Sequence, residues 1–330
     1  MQNKLRIFST FTGIGGFEQG IINALGEENI KVVGFSEILK PSIAVYKYHY
    51  PKHINYGDIT KLKIKQLPDF DLLVGGFPCQ SFSFAGKRKG FEDARGTMFF
   101  ELAKILKEKR PHNFLFENVK GLLYHDNGKT FKTILITLDA LGYDVQWCVF
   151  NSKLFGVPQN RNRVYIVGYL RGQSTPVMFD SFKELSTIDE ENKTRVCSST
   201  LLATRPRPDK SCGIDIIQTA STLTAEGAGH WAKCGSNVIQ NEEEYRVLSP
   251  IECERLQGMP DDWTKFGIAQ KGDLIPTGEF KINSVGQNAP HMVFAKEETE
   301  YELLNKDRYY LCGNAVSVPV VSYIIKHLYK

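Results

Sequence analysis

The sequence predicts an α/β protein: a mostly parallel, twisted sheet with helices on both faces, joined to a smaller loop-rich domain. Three observations carry this. From Leu5 to Tyr169 short apolar runs alternate with amphipathic helical stretches, the pattern of a parallel sheet covered on both sides. The first run ends in a glycine turn that opens a helix. Beyond Arg171 the periodicity fades into polar, proline-bearing sequence, as expected of a second unit. The first domain reads as 1–171, completed by 306–330, and the second as 172–305, with a helix at 249–258 on its hinge side.

Leu5–Phe11 reads as the first strand, and Thr12-Gly13-Ile14-Gly15-Gly16 turns into a helix over about Phe17–Leu25. The strand Lys31–Ser36 ends at Glu37, about twenty residues past the turn, an offset suited to accepting ribose hydroxyls. Asp58 follows another strand-like run and is suited to an adenine amino group. Turn and acids together suggest an adenosine-containing cofactor. Phe70–Val74 reads as a buried strand closed by Gly75 and Gly76, after which Pro78 stiffens the chain where Cys79 is presented. A thiolate at a strand's carboxyl end can be a nucleophile, although free cysteines more often serve as small buried hydrophobes.

The glycine-punctuated basic stretch Phe84–Gly96 reads as a loop beside Cys79, positioned to act as a lid. A helix over Thr97–Lys109, a strand His112–Phe116 ending in Glu117-Asn118-Val119, a helix near Lys129–Leu141 and strands Tyr143–Phe150 and Val164–Tyr169 follow. Arg161 and Arg163, two apart on an extended segment, should point the same way and meet an anion or carbonyl; an ordinary surface pair is the bland alternative. Within the second domain Ala220–Trp231 reads as a recognition strand and loop. Ser249, Pro250, Glu252 and Gly258 mark a capped helix. The stretch 267–305 reads as irregular, either an extra contacting arm or a surface elaboration. A last helix runs from just after Val316 to about Leu328.

Composition narrows the classes. With 330 residues, 42% hydrophobic and 24% charged, the chain suits a globular protein with ample core. A net charge of +4 permits a polyanion partner without requiring one. Seven scattered cysteines and no C-x-x-C pair point to free thiols in a reducing cytoplasm. His49 and His53 flank Pro51 and so do not share a helix face as zinc ligands would; no metal is expected. No signal peptide or membrane span is read.

Six short motifs occur in register: Phe11–Gly16, Gly76-Phe77-Pro78-Cys79-Gln80, Glu117-Asn118-Val119, Gln159–Arg163, Arg255-Leu256-Gln257-Gly258 and Gly313-Asn314-Ala315-Val316. Together they resemble the DNA (cytosine-5) methyltransferases, in particular the small bacterial restriction-modification enzymes. The resemblance implies the S-adenosylmethionine-dependent methyltransferase fold with a target-recognition domain. It also implies double-stranded DNA as partner, base flipping, a monomer, no membrane, and a cytoplasmic site in a bacterial or phage-infected cell. A cognate restriction endonuclease would share the DNA site without being bound.

By the same resemblance Cys79 adds to cytosine C6, and Glu117 protonates N3, so its carboxyl must carry or share a proton when the base is bound. Arg163 holds O2, with Arg161 assisting or meeting a phosphate. S-adenosyl-L-methionine, leaving as S-adenosyl-L-homocysteine, falls to Phe11, Gly13, Gly15, Gly16, Glu37, Asp58, Ile59, Pro78, Met98, Asn314 and Ala315. DNA contacts fall to Gln80, Ser83, Lys87, Arg88, Lys89 and Arg95 on the loop and to Thr222, Leu223, Gly227 and Gly229 in the recognition region. Two positions depart from the family pattern: Ile38 stands where an aromatic often packs on adenine, and Ala85 where some relatives have a second serine.

Methylation of cytosine in transfer RNA is the rival within the fold. From another class, the glycine turn and Glu37 alone also fit a nicotinamide dehydrogenase, which leaves the Cys79 and Glu117 motifs unexplained. A non-catalytic DNA-binding relative would be expected to have lost one of Cys79, Glu117 and Arg163, and all three are present.

Overall fold

The computed structural model describes residues 4–78, 98–172, 200–206, 212–217, 220–221, 237–240, 245–282 and 287–329. In chain order the first part runs β1 (Leu5–Thr10), α1 (Gly16–Leu25), β2 (Ile30–Ser36), α2 (Lys40–His49), β3 (Leu72–Gly76), α3 (Met98–Lys109), β4 (Asn113–Val119), α4 (Lys129–Ala140), β5 (Tyr143–Asn151), β6 (Gln159–Asn160) and β7 (Asn162–Leu170). The central sheet has the order β2-β1-β3-β4-β7-β5. Neighbours from β2 to β4 are parallel, and β7 runs antiparallel to both β4 and β5. The sheet is therefore mostly parallel, as the alternating pattern implies.

Successive strand residues divide between two cores, because side chains alternate across a sheet. Phe8, Leu73, Phe114 and Phe116 face α3 and α4, where Leu102, Ile105, Leu106, Ile134 and Leu138 are buried. Ile7, Leu72, Val74 and Leu115 face the opposite layer, built from Phe17 and Ile21 with Val320, Val321, Ile324 and Ile325. Those last four belong to α7 (Val318–Leu328), so the end of the chain closes the layer that α1 begins. Gly20 makes the contact close: a Cβ there would lie 2.6 Å from the Val321 side chain.

Between these parts come β8 (Thr200–Pro206), β9 (Cys212–Ile217), β10 (Ala220–Ser221), β11 (Asn237–Gln240) and β12 (Tyr245–Val247), then α5 (Pro250–Leu256), β13 (Phe266–Ala269), β14 (Leu274–Ile282), β15 (Asn288–Phe294), β16 (Thr299–Glu302) and α6 (Asn305–Asn314). A four-stranded sheet has the order β12-β11-β8-β9. β10, the start of the expected recognition strand, pairs in parallel with β6. The cap read at Ser249 is present in full: the Glu252 N–H donates to Ser249 Oγ at 3.3 Å, and the Ser249 N–H to Glu252 Oε2 at 2.7 Å.

The expectation that 267–305 is irregular is corrected. It contains the β13–β16 pair and the β14–β15 hairpin, with Asp273 at the hairpin base 2.6 Å from Lys40 of α2. Leu274, Phe280, Ile282 and Phe294 are each more than half exposed, so the hairpin lacks the apolar-in, polar-out alternation that reveals a half-buried strand. The stretch 305–328 has the length and hydropathy of a membrane span, contrary to the sequence reading that none exists. Its most apolar window is 67% buried inside the fold, and the helix breaks between Asn314 and Val318. It serves as core.

Candidate active site

The glycine turn follows β1 directly. Phe11 has φ 49°, Gly13 58° and Gly15 88°, so left-handed backbone occurs three times in five residues, once at a side chain that pays steric strain for it. A Cβ at Gly13 would meet nothing within 4 Å: the turn is open there. Gly16 is closed behind, where a Cβ would lie 2.7 Å from Val316 Cγ1. The Gly13 N–H donates to Glu37 Oε2 at 2.9 Å, and Glu37 Oε1 accepts from the Ile38 and Leu39 N–H groups at 2.7 and 2.9 Å. The two sequence signals thus meet physically, with the acid at the end of β2 fixing the turn after β1.

Asp58 caps the short turn Ile59–Lys61, accepting from the Thr60 N–H at 3.0 Å and its hydroxyl at 2.7 Å. The Thr60 hydroxyl and N–H, with Lys61 nearby, hold its carboxyl below the usual carboxylate range. Ile59 is buried with Phe8 and Phe70, which leaves only its backbone to face a ligand. Met98 packs on the same core, Ile38 is 69% exposed and Phe11 is half-buried.

Beneath the turn lies a polar chain that sequence reading missed. Glu18, in the first turn of α1, is fully buried. Tyr46 Oη lies 3.2 Å from Glu18 Oε1 and 3.0 Å from His53 Nδ1. Burial pushes the Glu18 carboxyl up to about 7, against the pull of the Ser9 and Tyr46 hydroxyls, and pushes His53 down to about 4. One phenol proton cannot serve both neighbours. It goes to Glu18 Oε1, and a neutral His53 carrying its proton on Nδ1 donates to the Tyr46 oxygen in turn.

A carboxyl raised from 4.5 to about 7 keeps in the fold a proton that the unfolded chain releases. Its contribution is complete below about pH 4.5, falls as pH rises towards 7, and is lost above that, on the order of 3 kcal/mol in all. His53 acts in the opposite sense as pH falls through the same range. The measurement is therefore a comparison of urea unfolding for wild type and Glu18→Gln: the difference between them should change by that amount between pH 4.5 and 7. A flat difference would place the carboxyl in contact with water.

The face of the sheet that bears Glu117 and Arg163 is formed by β3, β4 and β7. Gly76 pairs with Glu117, and Glu117 with Tyr165. Arg163 lies opposite Val119, diagonal to Glu117 on the same face, and its Nε is 3.0 Å from Glu117 Oε1. The contact is one of charge rather than an aligned hydrogen bond, since among the described residues no donor is directed at that oxygen. Both side chains are nearly buried, and Arg163 Nη1 donates to the Asn162 carbonyl at 2.9 Å.

Asn118, absent from the sequence-predicted site, organises this end. Its side-chain amide donates to the Phe77 carbonyl at 2.9 Å and its Oδ1 accepts from the Val119 N–H at 2.8 Å. The segment leading through the exposed Pro78 towards Cys79 is thereby pinned to the end of β4. The available signal was its place in the Glu117-Asn118-Val119 motif. Cys79, Gln80, Ser83, Lys87, Arg88, Lys89, Arg95, Thr222, Leu223, Gly227 and Gly229 lie outside the described residues.

The expectation for Arg161 is corrected. Its side chain is 3% exposed and turns inward, Nη2 donating to the Ala315 carbonyl at 2.8 Å and Nη1 to the Gly313 carbonyl at 3.3 Å. It caps the carboxyl end of α6, where a cation suits the helix dipole, and it brackets the exposed Asn314. Burial, then Arg163, lowers its guanidinium to about 10, which still leaves it charged at neutral pH. A buried guanidinium facing carbonyls is not a phosphate contact. Gln159 and Gln257 are scaffold too, donating to the Leu256 and Cys312 carbonyls at 3.2 and 2.9 Å.

Comparison with known proteins agrees with this arrangement. The profile of the C-5 cytosine-specific DNA methylases matches residues 5–226. The chain is 38% identical over 325 residues to the type II methyltransferase M1.ScrFI of Lactococcus lactis subsp. cremoris, covering 92% of this chain and 80% of that one. It is 48% identical over 179 residues to the type II methyltransferase M.NlaIV of Neisseria lactamica, a match spanning 52% of this chain and 42% of the relative. Among solved structures, the S. pombe Dnmt2 methyltransferase superposes with a TM-score of 0.67 at 19% identity, over 98% of both chains, a likeness of fold. By the family profile over residues 5–226 and the identity to M1.ScrFI over most of both chains, the chain belongs to the C-5 cytosine-specific DNA methylase family.

Proposed function

We propose that the protein transfers a methyl group from S-adenosylmethionine to C5 of cytosine within a specific duplex DNA sequence, as the protecting partner of a type II restriction-modification pair. The observation that supports it best is the Glu117–Arg163 pair, set on the strand whose Asn118 anchors the approach to Cys79. The residues of the glycine turn fit the cofactor: Gly13 leaves open space, and the Glu37 carboxylate stands at hydrogen-bond distance from its N–H. Glu37 would take the ribose hydroxyls, Asp58 the adenine amino group, and the backbone of Gly13 to Gly16 the methionine portion, beside Asn314. When bound, S-adenosylmethionine supplies an electrophilic methyl and leaves as S-adenosylhomocysteine.

Cytosine C5 is a weak nucleophile, so the ring must first be activated. The Cys79 thiolate adds to C6 and the displaced electron pair moves to N3, where Glu117 delivers a proton. Arg163, held between Glu117 and the Asn162 carbonyl, contacts O2 and fixes the ring. C5 is now enamine-like and takes the methyl. Loss of the C5 proton to a water-linked base restores the double bond as the C6–S bond breaks, returning the thiolate, and N3 gives its proton back to Glu117. Flipping exposes the base at a cost of about a few kcal/mol. In this reading the second domain, 172–305, carries sequence choice, with loop and recognition residues outside the described structure making the DNA contacts.

Transfer RNA is not favoured as substrate: the family description and the relatives' names specify DNA methylation and type II systems. The test is incubation of the purified protein with methyl-tritiated S-adenosylmethionine and either duplex DNA or transfer RNA, followed by nucleoside analysis. Tritium in 5-methylcytosine from DNA is expected. Label only in RNA, or in neither, would overturn the proposal.

A further inference from the structure

The open face of the glycine turn receives the ligand in the reading above; its rear face is held by a residue from the far end of the chain. Trp263 is 7% exposed, and its indole Nε1–H donates to the Ile14 carbonyl at 2.8 Å. Ile14 sits between Gly13 and Gly15, both at positive φ. Peptides next to glycine rotate more freely than others, so this plane needs holding. It is held from both sides: Ile14 O accepts from the indole, and the Gly15 N–H donates to the Thr12 carbonyl at 3.2 Å.

Trp263 is itself fixed twice by His49 of α2. The rings stack with centroids 3.6 Å apart and 8° between planes, and His49 Nε2–H donates to the Trp263 carbonyl at 2.7 Å. Burial lowers the His49 pKa, against its hydrogen bond to the Trp263 carbonyl and against Glu254, in keeping with a neutral ring of one tautomer. Met259, Leu311, Ala315 and Val318 complete the cluster around Ile14 and Trp263.

We propose that Trp263 is a positioning residue for cofactor binding: its indole N–H locks the Ile14–Gly15 peptide so that the turn keeps its ligand-accepting form. The inference rests on the reading of this turn as the S-adenosylmethionine site. It makes that site dependent on the segment that follows α5, outside every motif that marks the family in this sequence.

Trp263→Phe keeps an aromatic ring over His49 while removing the donor together with part of the buried indole. The expected result is an approximately tenfold rise in KM for S-adenosylmethionine and in Kd for S-adenosylhomocysteine by calorimetry, with kcat at saturating cofactor within about twofold of wild type. Should this variant not fold, His49→Phe, which keeps the stack but frees the Trp263 backbone, should raise Kd in the same sense. A loss of thermal stability with unchanged Kd would reduce Trp263 to core packing and overturn the proposal. Wild-type protein that binds no S-adenosylhomocysteine would instead remove the site itself, and the inference with it. Normal wild-type binding with an unaltered variant removes only the role of Trp263.

Discussion

Glu117→Gln is expected to lower kcat by about a hundredfold or more, and Cys79→Ser to abolish methyl transfer, with cofactor affinity unchanged in both. Glutamine keeps the size of Glu117 and its place diagonal to Arg163, but it carries no proton acidic enough to give to N3 as the thiolate adds. Nor does it balance the Arg163 guanidinium 3.0 Å away, so part of the loss will come from a displaced arginine. The cofactor readout separates the two halves of the site. Gly13, Glu37 and Asp58 stand at the ends of β1 and β2 and beyond, whereas Glu117 is on β4, with β3 between. Single-turnover assays with labelled cofactor, alongside S-adenosylhomocysteine titration, make the check. A Glu117→Gln enzyme with near-normal kcat would mean that N3 takes its proton elsewhere.

Arg308→Met is expected to destabilise the protein by about 3–5 kcal/mol. Glu254 of α5 is fully buried, and Arg308 of α6 is 6% exposed. Arg308 Nη2 lies 2.9 Å from Glu254 Oε1, while its Nε donates to the Thr264 hydroxyl at 3.1 Å. Thr264 gives both its N–H and its hydroxyl to the same Glu254 oxygen. Methionine fills much of the volume but leaves a carboxylate in the core with its cation gone. The double variant Glu254→Gln/Arg308→Met should recover most of the loss, because the penalty comes from the unpaired charge rather than from the absence of a bond. Urea unfolding of wild type, single and double variants tests this. A single variant within 1 kcal/mol of wild type would show that water reaches the pair.

What the sequence revealed and what it concealed follow from how each element is buried. β1, β3 and β4 are apolar runs between glycines and acids, and α1, α3 and α4 place an apolar stripe against them, so both periods are visible. α2 has no side-chain cap, and Pro41 falls in its first turn, which reads as a break. α6 begins Asn305-Lys306-Asp307-Arg308 and ends near a glycine; Arg308 looks like surface until its partner Glu254 is known. The hairpin β14–β15 is exposed on the face where alternation should have shown. Arg161 was misjudged for a local reason: β7 begins at Asn162, so Arg161 lies in the joint before it, where two-residue alternation no longer governs direction. Asn118 and Trp263 act through contacts 41 and 249 positions away, and no local pattern announces such partners.

The same long reach bears on how the protein is made. Gly16 and Gly20 of α1 are spaces kept for Val316 and Val321, and the carbonyl of Ile14 waits for an indole far downstream. On the ribosome β1, the turn and α1 emerge well before α7, which completes their layer. Until then the apolar face of α1 has no α7 to cover it. A nascent chain therefore cannot acquire its cofactor pocket piecemeal. Methylating competence waits for α7, and a chain terminated before it is a substrate for chaperones and proteases rather than a partly active enzyme.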